Sequence, residues 1–195
     1  MGKEVAGSGC TANDFEGFRR RLEEETRHAH AAYFRGAFAE DALVAGFELE
    51  AWLIGSNLLP VPRNVTFLER LNSPLVVPEL SRFNVELNGT PQPLRGTALS
   101  QLENELTATW QNCQRVAADD DSSLVAIGTL PTLREDDLSL SNMSPARRYA
   151  ILNEQIFRLR GGCPLSLNIA GIDNLSTTHS DVMLEAATTS FQVHL

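Results

Sequence analysis

A chain of 195 residues, 43% hydrophobic and 21% charged, has material for one domain with a real core and is too apolar to be disordered as a whole. Sixteen Lys and Arg stand against 25 Asp and Glu, a net charge of −9, which sets aside a free-standing nucleic-acid binder, since such a protein must neutralise phosphates. An acidic chain can still bind ATP where metal ions neutralise both the phosphates and the carboxylates that hold them.

Residues 1–12 are small and polar and read as a disordered N-terminus, with a single domain expected over 13–195. No apolar segment there reads as a signal peptide, and no run approaches the ~18 residues needed to span a bilayer. Asn13 is the expected cap of a helix running to about Phe38, with Phe15, Phe18, Leu22, Ala29 and Tyr33 at helical spacing. The period then changes. Residues 42–54, ALVAGFELEAWLI, predict a strand, with Phe47, Leu49 and Ala51 on one side and Glu48, Glu50 and Trp52 on the other. A Pro-rich connection leads to a short helix near 64–71. A second strand is expected over 82–88, RFNVELN, with Val85 and Leu87 on one face and Asn84, Glu86 and Asn88 on the other.

Residues 97–117 form an amphipathic helix with Leu99, Leu102, Leu106, Trp110 and Cys113 on one stripe. A third strand is expected at 124–128. Pro145 suits a first helical turn, and Gly161 and Gly162 stop the helix that follows. A fourth strand covers about 165–170, a polar loop 171–181, and a fifth strand carries SFQVHL. The sequence stops at Leu195 inside that strand, which reads as half of a larger domain. Cys10, Cys113 and Cys163 are odd in number and widely spaced, so neither a disulfide framework nor a zinc site is indicated, and a reducing cytoplasm is the expected setting.

Two strands thus each present acidic residues on one face. Glu48 and Glu50 lie two apart, so their side chains project to the same side about 6.5–7 Å apart along the strand. Glu86 does the same on the second strand. Oxygen ligands converging from rigid backbone are what magnesium requires. Alternating glutamates are also the ordinary solvent face of an antiparallel sheet, and the pattern alone leaves both readings open. His28 and His30 read as structural, and His179 is assigned nothing. Neither GxxxxGK[ST] nor GxGxxG is present, so any ATP would be held through metal and sheet, not through a phosphate loop.

GFELE at 46–50, PELSRFNVELN at 78–88, GTLP at 128–131, ARRYAILNEQI at 146–156 and SFQVHL at 190–195 occur in that order. Together they resemble the glutamate–cysteine ligase family, in its bacterial and plant-like branch with the related carboxylate–amine ligases, over about 42–195. The resemblance implies an α+β, glutamine-synthetase-like fold, a curved antiparallel sheet forming a half-barrel with helices packed on its outer face. Periodicity alone would equally suit a parallel α/β sheet.

The resemblance further implies an ATP-dependent ligase. ATP phosphorylates a side-chain carboxylate of glutamate, and cysteine or another amine attacks the acyl phosphate. Glu48, Glu50 and Glu86 match metal-binding glutamates. Gln192 matches a metal position where many relatives carry His, and His194 is its partner toward substrate. Glu79 and Arg148 are further substrate-binding candidates, Arg148 and Tyr149 matching an Arg-Tyr pair with an alternative structural role. No catalytic residue is assigned. The cofactors implied are Mg2+ and ATP, the partners are small molecules, and neither nucleic acid nor membrane is expected. Relatives have a second half with further strands, another metal-binding glutamate and phosphate-contacting arginines. The isolated chain is therefore expected to be inactive, and the competing reading is a non-catalytic or regulatory protein that keeps the fold.

Overall fold

The computed structural model describes residues 11–38 and 43–195. Its contacts gather into two compact units, divided between residues 42 and 43. The first unit contains helix α1 (Ala12–Phe34). Thr11, not Asn13, caps it. The Thr11 hydroxyl accepts from Asp14 N at 3.3 Å, and the Asp14 carboxylate accepts from Thr11 N at 2.7 Å, which satisfies two amides that have no partner inside the helix. Ala12 is therefore helical, and residues 1–10 of the expected disordered segment lie outside the described residues. The helix ends at Phe34 and not Phe38, because Gly36 takes the left-handed conformation at φ +63°. None of its side chains is buried.

The second unit contains β1 (Val44–Gly55), α2 (Asn64–Leu71), β2 (Val76–Pro78), β3 (Asn84–Asn88), β4 (Gln92–Pro93) and α3 (Ala98–Ala118). It continues with β5 (Ser122–Val125), α4 (Arg147–Leu159), β6 (Leu165–Ala170), β7 (Asn174–His179) and β8 (Phe191–His194). Short 3-10 turns lie at Glu135–Asp137, Leu140–Asn142 and Val182–Ala187. Every strand pairing is antiparallel, which rules out the parallel alternative. The architecture is α+β with an open sheet. Among the described residues no helix is long and apolar enough to cross a membrane.

The 12 residues of β1 organise the six-stranded sheet. One edge pairs with β3 in the register Glu48↔Asn88, Glu50↔Glu86 and Trp52↔Asn84. A typical strand has about 5–6 residues, so the opposite edge has room for two partners end to end. These are β8, opposite Gly46–Leu49, and β5, opposite Trp52–Gly55. The interval between them falls at Glu50, whose amide donates to Ser190 O at 2.9 Å.

Alternation gives the sheet two apolar layers. On one face Ala51, Leu53, Val85 and Leu87 pack against Phe67 and Leu71 of α2 and Cys113, Val116 and Ala117 of α3. On the other, Trp52, Ile54 and Phe83 pack against Leu130, Tyr149, Val182, Met183 and Ala186. Helices therefore do not keep to one side as expected. Tyr149 of α4 and the Val182–Ala187 turn cover the Trp52 end of the carboxylate face. The third strand lies at Ser122–Val125 rather than 124–128, and the expected polar loop 171–181 contains β7. NLSTTH pairs residue for residue with β6 as a two-stranded sheet. Most of its side chains face solvent, so it lacks the apolar alternation that marks a strand in sequence.

Candidate functional site

Directly paired residues in antiparallel strands share a face with their side chains adjacent. The register therefore builds a grid. One row runs Asn88, Glu48, Gln192, and the next runs Glu86, Glu50 and the Ser190 backbone. A third sets Asn84 beside Trp52. Within two residues of β1 the same face passes from half-buried carboxylates at Glu48 and Glu50 to a fully buried indole at Trp52. Trp52 stacks on Phe83 at 5.5 Å, with 6° between the planes, and its Nε1 donates to Ile127 O at 3.0 Å. The grid thus has a rigid apolar wall at one end.

Two like charges directly opposite each other destabilise a sheet, and Glu50 and Glu86 are such a pair. Glu50 is held on the other side by Ser190 N, which donates to its Oε2 at 2.8 Å, and by Gln192 Nε2, 3.4 Å from its Oε1. Burial pushes the Glu50 carboxyl above its ordinary range. The bonds to Ser190 oppose the rise, and the charges of Glu86 and Glu48 add to it. Glu86 accepts from Asn88 Nδ2 at 2.8 Å.

Glu79, just beyond β2, completes the group. Its Oε2 accepts from Leu80 N at 2.9 Å. Its carboxyl is raised to about 7, first by burial and then by a hydrogen bond with Glu86 and by the Glu86 and Glu50 charges. Near neutral pH the Glu79 carboxyl is therefore only partly ionised. Glu79, Glu86 and Glu50 thus form a crowded acidic cluster in which a proton offsets part of the charge.

A cleft of about 330 Å³ opens beside this cluster, lined by Glu50, Glu79, Asn84, Tyr149, Glu185 and Gln192, with Thr188–Ser190 at its rim. Glu48 lies one row along, where His194 Nε2 is 3.3 Å from its Oε2. Arg148 meets the cleft through its neighbour: its guanidinium sits 4.7 Å from the Tyr149 ring centroid and donates to the Tyr149 hydroxyl at 2.8 Å. That hydroxyl donates to Pro78 O at 3.0 Å.

The fold therefore gathers Glu50, Glu79, Glu86 and Gln192 and places Glu48 with His194 beside them. Sequence reasoning passed over Asn84, Glu185 and Thr188–Ser190. Asn84 sat in view beside Glu86, but its burial could not be read from RFNVELN. Glu185 and Thr188–Ser190 arrive through the 3-10 turn that starts at Asp181, whose carboxylate accepts from Met183 N at 3.0 Å. An Asp cap ahead of VML was the one local signal for that turn.

Among the described residues, no three His, Cys, Asp or Glu side chains stand at the spacing that would enclose a metal ion. The donor chemistry fits one nonetheless. It is all oxygen, and it comes from two paired strands. The residues that could hold a cation are Glu50 and Glu86, with Glu48 and Gln192 next to them.

A family model described as glutamate–cysteine ligase family 2 matches residues 44–195. No curated protein and no solved structure matches the chain.

Proposed function

From the premise that this chain belongs to glutamate–cysteine ligase family 2, a ligase class, we propose that it acts in ATP-dependent joining of a carboxylate to an amine, with glutamate as the carboxylate and cysteine as the amine. Glutathione biosynthesis in the cytoplasm is the corresponding setting. The observation that carries the reading is the Glu50–Glu86 cross-strand pair joined by Glu79 at the mouth of the cleft.

Phosphoryl transfer asks a protein mainly for positioning and for neutralisation of charge. Glu50, Glu86 and Glu48 are the residues that hold magnesium in this reading, and magnesium supplies the positive charge that lets nucleotide phosphates approach an acidic sheet. Glu50 is well suited to hold one orientation, since Ser190 N and Gln192 fix its two oxygens. A cation held by Glu50 and Glu86 would draw the neighbouring Glu79 carboxyl toward its ionised form. His194 orients Glu48 from the outer edge. Tyr149, pinned by Pro78 and Arg148, forms the far wall and keeps the amino-acid substrate against the carboxylate row.

The test is thermal unfolding with and without magnesium and ATP, on the wild type and on Glu50→Gln/Glu86→Gln. A ligand at about 100 times its Kd stabilises by about 2.7 kcal/mol, which is about 5–10 °C for a domain of this size. The double variant should lose that rise while unfolding no lower than wild type without ligand, because it removes two facing charges. A rise that survives in the double variant would put the nucleotide elsewhere, and no rise in the wild type at millimolar ligand would end the ligase reading.

A further inference from the structure

Four buried polar side chains meet beneath the carboxylate rows. Asn64, Ser81, Asn84 and Ser144 are each at most 3% exposed, and their hydrogen bonds nearly close on one another. Asn64 Nδ2 lies at 3.0 Å from Ser81 O, 3.2 Å from Asn84 O and 2.9 Å from Ser144 Oγ. Ser144 Oγ donates to Glu79 O. Ser81 Oγ donates to Asn84 Oδ1.

That last bond places the Asn84 amide oxygen toward Ser81. With its oxygen engaged by Ser81, the nitrogen remains, and Asn84 Nδ2 has no acceptor although it is buried. A buried donor without an acceptor is rare in a folded protein. Asn84 lines the cleft, so a bound ligand can supply what the protein does not.

Most other donors around the cleft are engaged, and the Ser190 hydroxyl accepts from Gln192 Nε2 at 3.0 Å. The Tyr149 hydroxyl donates to Pro78 O, Thr189 Oγ1 to Ile127 O, Gln192 Nε2 to Glu50 and Ser190, and Ser190 N to Glu50. Ionised Glu50 and Glu185 offer no donor, and Glu79 is hydrogen-bonded to Glu86. Asn84 also sits at a defined point of the grid. It lies two residues before Glu86 on β3 and faces Trp52 across the strands, where the carboxylate row gives way to the apolar wall.

We infer that Asn84 Nδ2 donates a hydrogen bond to a carboxylate oxygen of the amino-acid substrate, and that Ser81 sets the amide in the orientation this needs. The inference rests on the ligase reading, in which the cation held by Glu50 and Glu86 offsets the charge of an anionic ligand in an acidic cleft. The size of the cleft favours an amino acid over a nucleotide, since about 330 Å³ is at the small end of ligand pockets.

The experiment is calorimetric titration of L-glutamate into the chain in the presence of magnesium and a non-hydrolysable ATP analogue, with the analogue titrated separately. Asn84→Ala and Asn84→Asp are compared with wild type, and Ser81→Ala frees the amide to turn while keeping it. Losing a hydrogen bond to a charged group should weaken glutamate binding about 10- to 100-fold in Asn84→Ala, with nucleotide affinity unchanged. Asn84→Asp should bind glutamate more weakly still, because carboxylate then meets carboxylate, and Ser81→Ala should fall between wild type and Asn84→Ala. Circular dichroism checks that each variant is folded, and Ser81→Ala carries the test if the Asn84 variants do not fold. Wild-type affinity for glutamate in the folded variants would overturn the inference. Loss confined to the nucleotide would also overturn it, by assigning the donor to a phosphate oxygen. A wild type that binds neither ligand would remove the ligase reading itself, and the inference with it.

Discussion

Replacing Glu79 by Gln should flatten the pH dependence of stability of the metal-free protein. The folded-state carboxyl is raised from its ordinary 4.5 to about 7. Between those values the folded chain keeps a proton that the unfolded chain has released, so stability falls as pH rises. The Glu79 contribution is fully present below about 4.5 and is gone above about 7. At about 1.4 kcal/mol per pH unit, the whole rise corresponds to about 3 kcal/mol, and about 2–3 kcal/mol of it is lost between pH 5 and pH 8. Gln imitates the protonated carboxyl, donating toward Glu86 without carrying charge. Urea unfolding at pH 5 and pH 8 in the presence of a chelator measures the difference. Wild type should lose about 2–3 kcal/mol more than Glu79→Gln across that interval. An equal loss in both proteins would mean that Glu79 titrates normally and that the three carboxylates are not crowded, which would refute the account of the cluster given above.

Two further outcomes test the packing around the site. A Cβ at Gly89, in the turn between β3 and β4, would press directly on the Phe47 ring of β1, so Gly89→Ala should cost about 1–3 kcal/mol; an unchanged urea midpoint would mean that this turn is not packed on Phe47. Burial pushes the Cys113 thiol up to about 12, so it should resist alkylation in the native chain while exposed Cys163 reacts. Mass spectrometry of peptides after a brief iodoacetamide pulse reads this, and comparable labelling of the two would contradict the core beneath the sheet.

The elements carrying the strongest periodicity were legible in advance. GFELEAW predicted both the existence of β1 and which side chains share a face, because a period of two follows from the pleat alone. Helix α2 and strand β6 occur at the expected residues. The misses have local causes. Thr11 and Asn13 are both good caps, and the reciprocal bond to Asp14 decided between them. β7 pairs along its length while remaining solvated, so it left no apolar mark. Ser122–Val125 lies earlier than LVAIG suggested because its register is set by pairing with Trp52–Gly55.

For the site, the sequence determined that Glu48 and Glu50 project together from one strand and Glu86 from another, since alternation is a property of each strand by itself. It could not determine that Glu50 faces Glu86. That depends on the register between strands, where a slip of one residue would turn every side chain to the opposite face. Nor could it place Glu79, which no periodicity ties to the sheet and which reaches Glu86 only because β2 pairs with β3. The oriented amide of Asn84 belongs wholly to the tertiary structure. It requires Ser81 at its oxygen, Asn64 on its carbonyl and Tyr149 of α4 across the cleft. Local sequence specifies which groups a strand can offer, and long-range packing specifies which of them meet and lose water, and that loss of water is what gives the carboxylates and the amide their chemistry.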